Sequence, residues 1–150
     1  MSADRSYIAE NTAQRARLLS LVARLSDSDL ARPMAAGWTV AGVLGHLAFW
    51  DNRLALVVER WRHAGASALP PAVDHGIVDW INDAAKPLLL AVPPRRAATL
   101  ALAAAEAADR ALEALPDEFA EANRTAGSPV IFDRATHRRQ HLDEIEMALG

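Results

Sequence analysis

Two histidines stand four residues apart near the end of this chain, in the stretch THRRQHLDEIE at residues 136–146. On a helix, residues i and i+4 sit one turn apart with Cβ atoms roughly 5–6 Å from each other, so the rings of His137 and His141 can converge on one point. A divalent metal ion is the commonest thing to find at such a point. The competing reading is a pair of surface histidines with nothing between them, because short motifs of this kind also occur by chance. A third ligand separates the two.

Composition limits what else the chain can do. There is no cysteine, which removes disulfides, thiolate ligands and a cysteine nucleophile; any thiol chemistry has to come from a bound small molecule. Lys86 is the only lysine, and one lysine beside a proline is a poor candidate for a buried nucleophile. The formal charge of −3 is spread over interspersed acids and arginines. It offers no basic stripe of the kind that phosphate-backbone binding needs, so nucleic acid is not an expected partner. Hydrophobic residues make up 51% of the sequence, yet no apolar run approaches the roughly 20 residues of a membrane span. The opening MSADRSYIAE carries no apolar signal core, and a cytoplasmic protein is the expectation. At 150 residues the chain fits a single domain, 1–150, able to bury roughly two thirds of its unfolded surface.

The elements that must position the histidines read as helices, with no alternating β-branched run to make a sheet. A first helix is predicted from about Tyr7 to Leu25, where Ile8, Asn11, Arg15, Leu18, Val22 and Leu25 follow helical spacing. SDSDLARP then breaks the pattern. A second, long helix opens at Trp38–Thr39 with Thr39 as N-cap and Gly65 as terminator. Residues 66–94, with paired prolines at each end and Pro87 inside, predict a crossover holding only short helical pieces. The Ala-rich run from Pro94 to Leu115 has high helix propensity and stops at Pro116. PDEFAEANRTAGSP reads as a second linker, and Pro129 sits well for the first turn of a last helix ending near Leu149. Four long helices with one long connection suggest an all-α four-helix bundle, its crossover between the second and third helices.

On the second helix, His46 falls within about 60° of Val43, Trp50, Val57 and Trp61 at 100° per residue, so it belongs on or beside the inward stripe. On the last helix the apolar stripe is Ile131, Leu142, Ile145 and Leu149, with His141 at its edge and His137 one step outward. The two histidine-bearing faces can meet at the rim of the bundle. Three imidazoles leave at least one position for water or substrate, as expected of a catalytic rather than a closed structural metal site.

The combination of GWTVAGVLGHLAFW with HRRQHLDEIEMAL some ninety residues later resembles the DinB/YfiT-like superfamily of metal-binding four-helix bundles. There a Trp-Ser/Thr pair opens the second helix, a histidine follows at the spacing of His46, and a His-x-x-x-His pair sits on the last helix. The stretch at Asp79 to Asn82, the ALEALPDE segment and the final helix fall in family-like order. The resemblance implies His46, His137 and His141 as ligands of a divalent metal, Zn²⁺ or Ni²⁺. It also implies enzymes that activate water or a small thiol, such as mycothiol or bacillithiol, against a small electrophile, as hydrolases, transferases or isomerases. A non-catalytic bundle that binds a ligand or dimerises is the alternative. One departure is Gly42, where the family commonly has an acid that completes a capping box; its loss weakens the helix start by about 1 kcal/mol. Glu144 stands where a glutamine or acid is usual, as a solvated carboxylate or one that orients a ligand histidine.

Further residues carry two readings each. Trp38, Trp50, Trp61 and Trp80 can line a substrate pocket, although aromatics at helical spacing are more often core; Trp80, in the crossover, is the best candidate for substrate contact. Arg138 falls near the apolar stripe and can either reach an anionic substrate group or make a surface salt bridge, and Arg53, two turns beyond His46, has the same choice. His63 and His75 are most simply solvated. A small-molecule substrate and a possible homodimer complete the expectations.

Overall fold

The computed structural model describes residues 3–150 and contains no strand among them. Four long helices form the bundle: α1 (Ser6–Arg24), α3 (Val40–Ala64), α5 (Pro94–Glu113) and α7 (Ala135–Leu149). Three further helices lie in the connections, α2 (Asp27–Leu30), α4 (His75–Ala91) and α6 (Asp117–Thr125). The described chain is therefore all-α, a helical bundle, as expected. Thr39 caps α3 by accepting from the Gly42 N–H at 3.0 Å, and Gly65, at φ +100°, ends it. Only glycine adopts that backbone region without strain.

Packing follows from residue size. The buried face of α5 is Ala97, Ala98, Ala101, Ala104, Ala105 and Ala108, and methyl side chains let its backbone lie close to α3, its principal partner. Leu18 and Leu21 of α1, Leu44 and Leu47 of α3, and Leu142 and Ile145 of α7 close one apolar cluster around it. A second cluster at the other end holds Leu54, Val58, Trp61, Leu112, Leu115, Phe119 and Val130. Along α3, Asp51 sits between the residues that serve the two clusters, and it is buried.

Three elements differ from the sequence prediction. The crossover carries α4, a helix of 17 residues with Pro87 inside. Asp74 caps it by accepting from Gly76 and Ile77 N–H, and contacts to the bundle hold it: Trp50 Nε1 donates to Asn82 Oδ1 at 2.8 Å, and Lys86 donates to the Ala36 carbonyl. One lost ladder bond at a proline is outweighed when the helix is docked in this way. The predicted second linker contains α6, which starts directly after Pro116 and packs Phe119 against Trp61 at 5.0 Å between ring centres.

The last helix begins at Ala135 rather than near Pro129. Residues 129–134 form an irregular, non-helical segment whose backbone hydrogen bonds two asparagines supply. Asn123 pairs with both polar backbone groups of Val130, and Asn11 of α1 donates to the Phe132 carbonyl. The Asn11 side-chain oxygen then accepts from the N–H groups of Arg134 and Ala135, capping α7 from a different helix. Ile131, assigned by sequence to the apolar stripe, precedes the helix and is 57% exposed. The inward stripe of α7 is Ala135, Arg138, Leu142 and Ile145.

Candidate metal centre

His46 comes from the second turn of α3, whose start is fixed by the Thr39 cap. His137 and His141 come from α7, whose start is fixed by Asn11. Where these two helices meet, the three imidazoles face one another, with ring centres 5.2 Å (His46–His137), 4.8 Å (His46–His141) and 4.7 Å (His137–His141) apart. One ring nitrogen from each lies within 4.8 Å of the other two, and the Nε2 atoms of His46 and His137 are 3.2 Å apart. Nitrogens bound tetrahedrally to one Zn²⁺ at about 2.0–2.1 Å are roughly 3.3 Å from each other. The cluster thus fits a single divalent ion with little movement of side chains, and an all-imidazole donor set suits Zn²⁺, Ni²⁺ or Cu²⁺.

The rings are held from behind. His141 Nδ1 lies 3.0 Å from Glu144 Oε2. That carboxylate favours the proton on Nδ1, which turns the Nε2 lone pair inward. His137 Nδ1 has Arg134 Nη2 at 3.4 Å, and Arg134 Nε donates to Asp51 Oδ1 at 2.9 Å. The His46 ring meets the edge of Trp38, with centres 5.9 Å apart, and the Lys86 ammonium lies 5.3 Å from the centre of the Trp38 ring. Burial pushes the His46 pKa down to about 4, aided by repulsion from His141. His137 is pushed down to about 2, again by burial first and then by His141, Arg134, His46 and Arg138. Both rings are neutral at physiological pH, which is the form that ligates a metal.

Arg138 does not reach the cluster. It is fully buried, and all five of its N–H groups are used: Nε and Nη2 on Asp51, Nη1 and Nη2 on Asp109, with the Asn11 and Ala105 carbonyls completing the set. Arg15 adds a further ion pair to Asp109 at 3.0 Å. The expectation of a substrate contact or surface salt bridge at Arg138 is therefore corrected to a buried ionic layer joining α3, α5 and α7. Trp80 stands 73% exposed on α4, and the tryptophan whose ring meets a site histidine is Trp38. Trp61 is core, and His63 and His75 are exposed.

Sequence reading missed Asp51, Asp109, Arg134 and the capping role of Asn11. A signal for the first was present: Asp51 lies four residues after Leu47 and three before Leu54, an acid on the core stripe that requires a buried cation. A groove of about 920 Å³ lies elsewhere, lined by Tyr7, Asp117, Glu121, Phe132 and Asp133, and contains none of the three histidines.

Fold and site together define an α-helical bundle with a three-histidine cluster able to hold a divalent metal. Residues 12–147 match the mycothiol maleylpyruvate isomerase N-terminal domain family, and the chain belongs to that family within the DinB/YfiT-like superfamily. No curated protein and no solved structure matches the chain. Among the described residues, no helix is long and apolar enough to cross a membrane.

Proposed function

We propose that this protein is a metal-dependent enzyme in which His46, His137 and His141 hold a divalent ion, Zn²⁺ or Ni²⁺, and activate water or a small thiol against a small electrophile. The observation that carries this reading is the convergence of one ring nitrogen from each of the three histidines within 4.8 Å. A bound dication in such a site supplies a Lewis acid that lowers the pKa of a coordinated water or thiol. The protein's own part is positional. Burial keeps the His46 and His137 rings uncharged, Glu144 orients His141, and Trp38 walls one side of His46. The family, named for a mycothiol-dependent isomerase, favours a low-molecular-weight thiol as co-substrate, and the absence of cysteine means that the chain supplies no thiol of its own. A cytoplasmic location and a homodimer belong to the same proposal.

Metal content of tag-free protein, measured by inductively coupled plasma mass spectrometry, tests the reading. Near-stoichiometric metal in the parent, lost in His46→Ala and His137→Ala, is the expected result and licenses a screen of thiols against electrophiles. A parent that neither carries metal nor takes up added Zn²⁺ or Ni²⁺ refutes the centre, and leaves the alternative of a ligand-binding or dimerising bundle.

A further inference from the structure

Arg53 follows His46 by seven residues on α3. At 100° per residue that places it within about 20° of the same face and about 10 Å further along the axis. Its side chain is half-buried, and its guanidinium lies 5.8 Å from the centre of the Trp50 ring. Trp50 is itself fixed by its hydrogen bond to Asn82 of α4.

The charges around Arg53 do not balance. Arg15, Arg134 and Arg138 are all paired with Asp51 or Asp109. Among the described residues no carboxylate pairs with Arg53, and the charge that acts on it is another cation, Arg134. Burial first, and then that repulsion, press the Arg53 pKa below its ordinary value, although an arginine remains charged at physiological pH. Three guanidiniums therefore share the two buried carboxylates behind the histidines, and Arg53 stands outside that set. A half-buried cation without a counter-charge is costly, and a bound anion relieves that cost. The planar guanidinium fork matches the two oxygens of a carboxylate, and a cation–π contact with Trp50 draws the guanidinium over that ring.

We propose that Arg53, with Trp50 against its face and Arg134 beside it, forms an anion subsite that takes the carboxylate of a small ligand. This deepens the metal-centre reading by giving the ligand's charge, and rests on that reading only in having the ligand's other end reach the three histidines. Arg134 adds positive field beside Arg53; its Nε is committed to Asp51 and its Nη2 faces His137 Nδ1.

The test follows the arginine Nε–Hε resonances of ¹⁵N-labelled protein as propionate, and separately inorganic phosphate, is added at constant ionic strength, with metal removed and with Zn²⁺ added. The resonance absent from Arg53→Lys identifies Arg53. Saturable movement of that resonance with propionate, with and without Zn²⁺, is expected. The apparent dissociation constant should rise at least tenfold in Arg53→Gln and by less in Arg53→Lys. Because no ion pair is lost and the Trp50 contact is long, Arg53→Gln without ligand should melt close to the parent temperature; a variant that fails to fold overturns the unpaired state assigned to Arg53. Propionate binding that is equal in the parent and Arg53→Gln, or no saturable binding, overturns the subsite. A response to phosphate alone overturns the carboxylate class. Binding that needs Zn²⁺ but not Arg53 places the anion on the metal and overturns the subsite while sparing the metal centre. Arg53-dependent binding in a protein that takes up no metal supports the subsite while the metal reading fails.

Discussion

Replacing Arg138 with methionine probes the ionic layer that sets α7, and with it two of the three histidines, against α3 and α5. The substitution keeps an unbranched side chain in the space but removes the cation shared by Asp51 and Asp109, both buried. Asp51 keeps Arg134 at 2.9 Å and Asp109 keeps Arg15 at 3.0 Å, so each carboxylate goes from two arginine partners to one. Leaving buried charge under-compensated costs about 3–5 kcal/mol, out of a total stability on the order of 5–15 kcal/mol. For a chain of this size each kcal/mol shifts the melting temperature by roughly 2–4 °C, so Arg138→Met should melt roughly 6–20 °C below the parent. Urea denaturation of metal-free protein at neutral pH measures the free energy directly. A double-mutant cycle with Asp109→Asn should give a coupling above about 0.5 kcal/mol. A loss below about 1 kcal/mol with no coupling to Asp109 would refute the claim that this layer fixes the position of α7.

Two further outcomes follow from the same geometry. At Gly45 an added Cβ meets Leu89 Cδ2 at an ordinary 3.5 Å, whereas at Gly42 it meets Leu90 Cδ2 at 2.8 Å and Trp38 Cε3 at 3.2 Å. Gly45→Ala should therefore gain most of the about 1 kcal/mol of helix propensity, while Gly42→Ala loses it to crowding of α4 and Trp38; thermal melts of both variants check the sign, and equal stabilisation would show that α4 yields at no cost. In metal-free protein, His46 and His137 have folded pKa values below that of free imidazole, so the unfolded chain takes up their protons first. Stability is then fully present above about pH 6.5 and falls as pH drops from there through about 4. Urea midpoints measured from pH 7.5 to 4.5 should decline for the parent and less steeply for His137→Ala; parallel curves would show that these rings are not buried neutral.

Local signals made much of this protein legible in its sequence. The Thr39 cap and Gly65 stop bounded α3, the alanine run bounded α5, and the spacing of His137 and His141 put both rings on one side of a helix, because capping and periodicity act within a few residues. Those signals made the bundle class and the three histidines readable together. What depends on partners distant in sequence was not readable. Pro87 argued locally against a long crossover helix, and docking holds α4: Leu89 and Leu90 lie against Gly45 and Gly42 of α3, Asn82 bonds Trp50, and Lys86 bonds the Ala36 carbonyl. Pro129 suggested a helix start, but Asn11, more than a hundred residues away, caps α7 at Ala135 instead. Arg138 looked like a residue at the edge of a site until Asp51 and Asp109 from two other helices enclosed it. Tertiary structure decided these points because a buried polar group takes its role from whichever donor or acceptor packing brings to it, and chain order does not specify that partner.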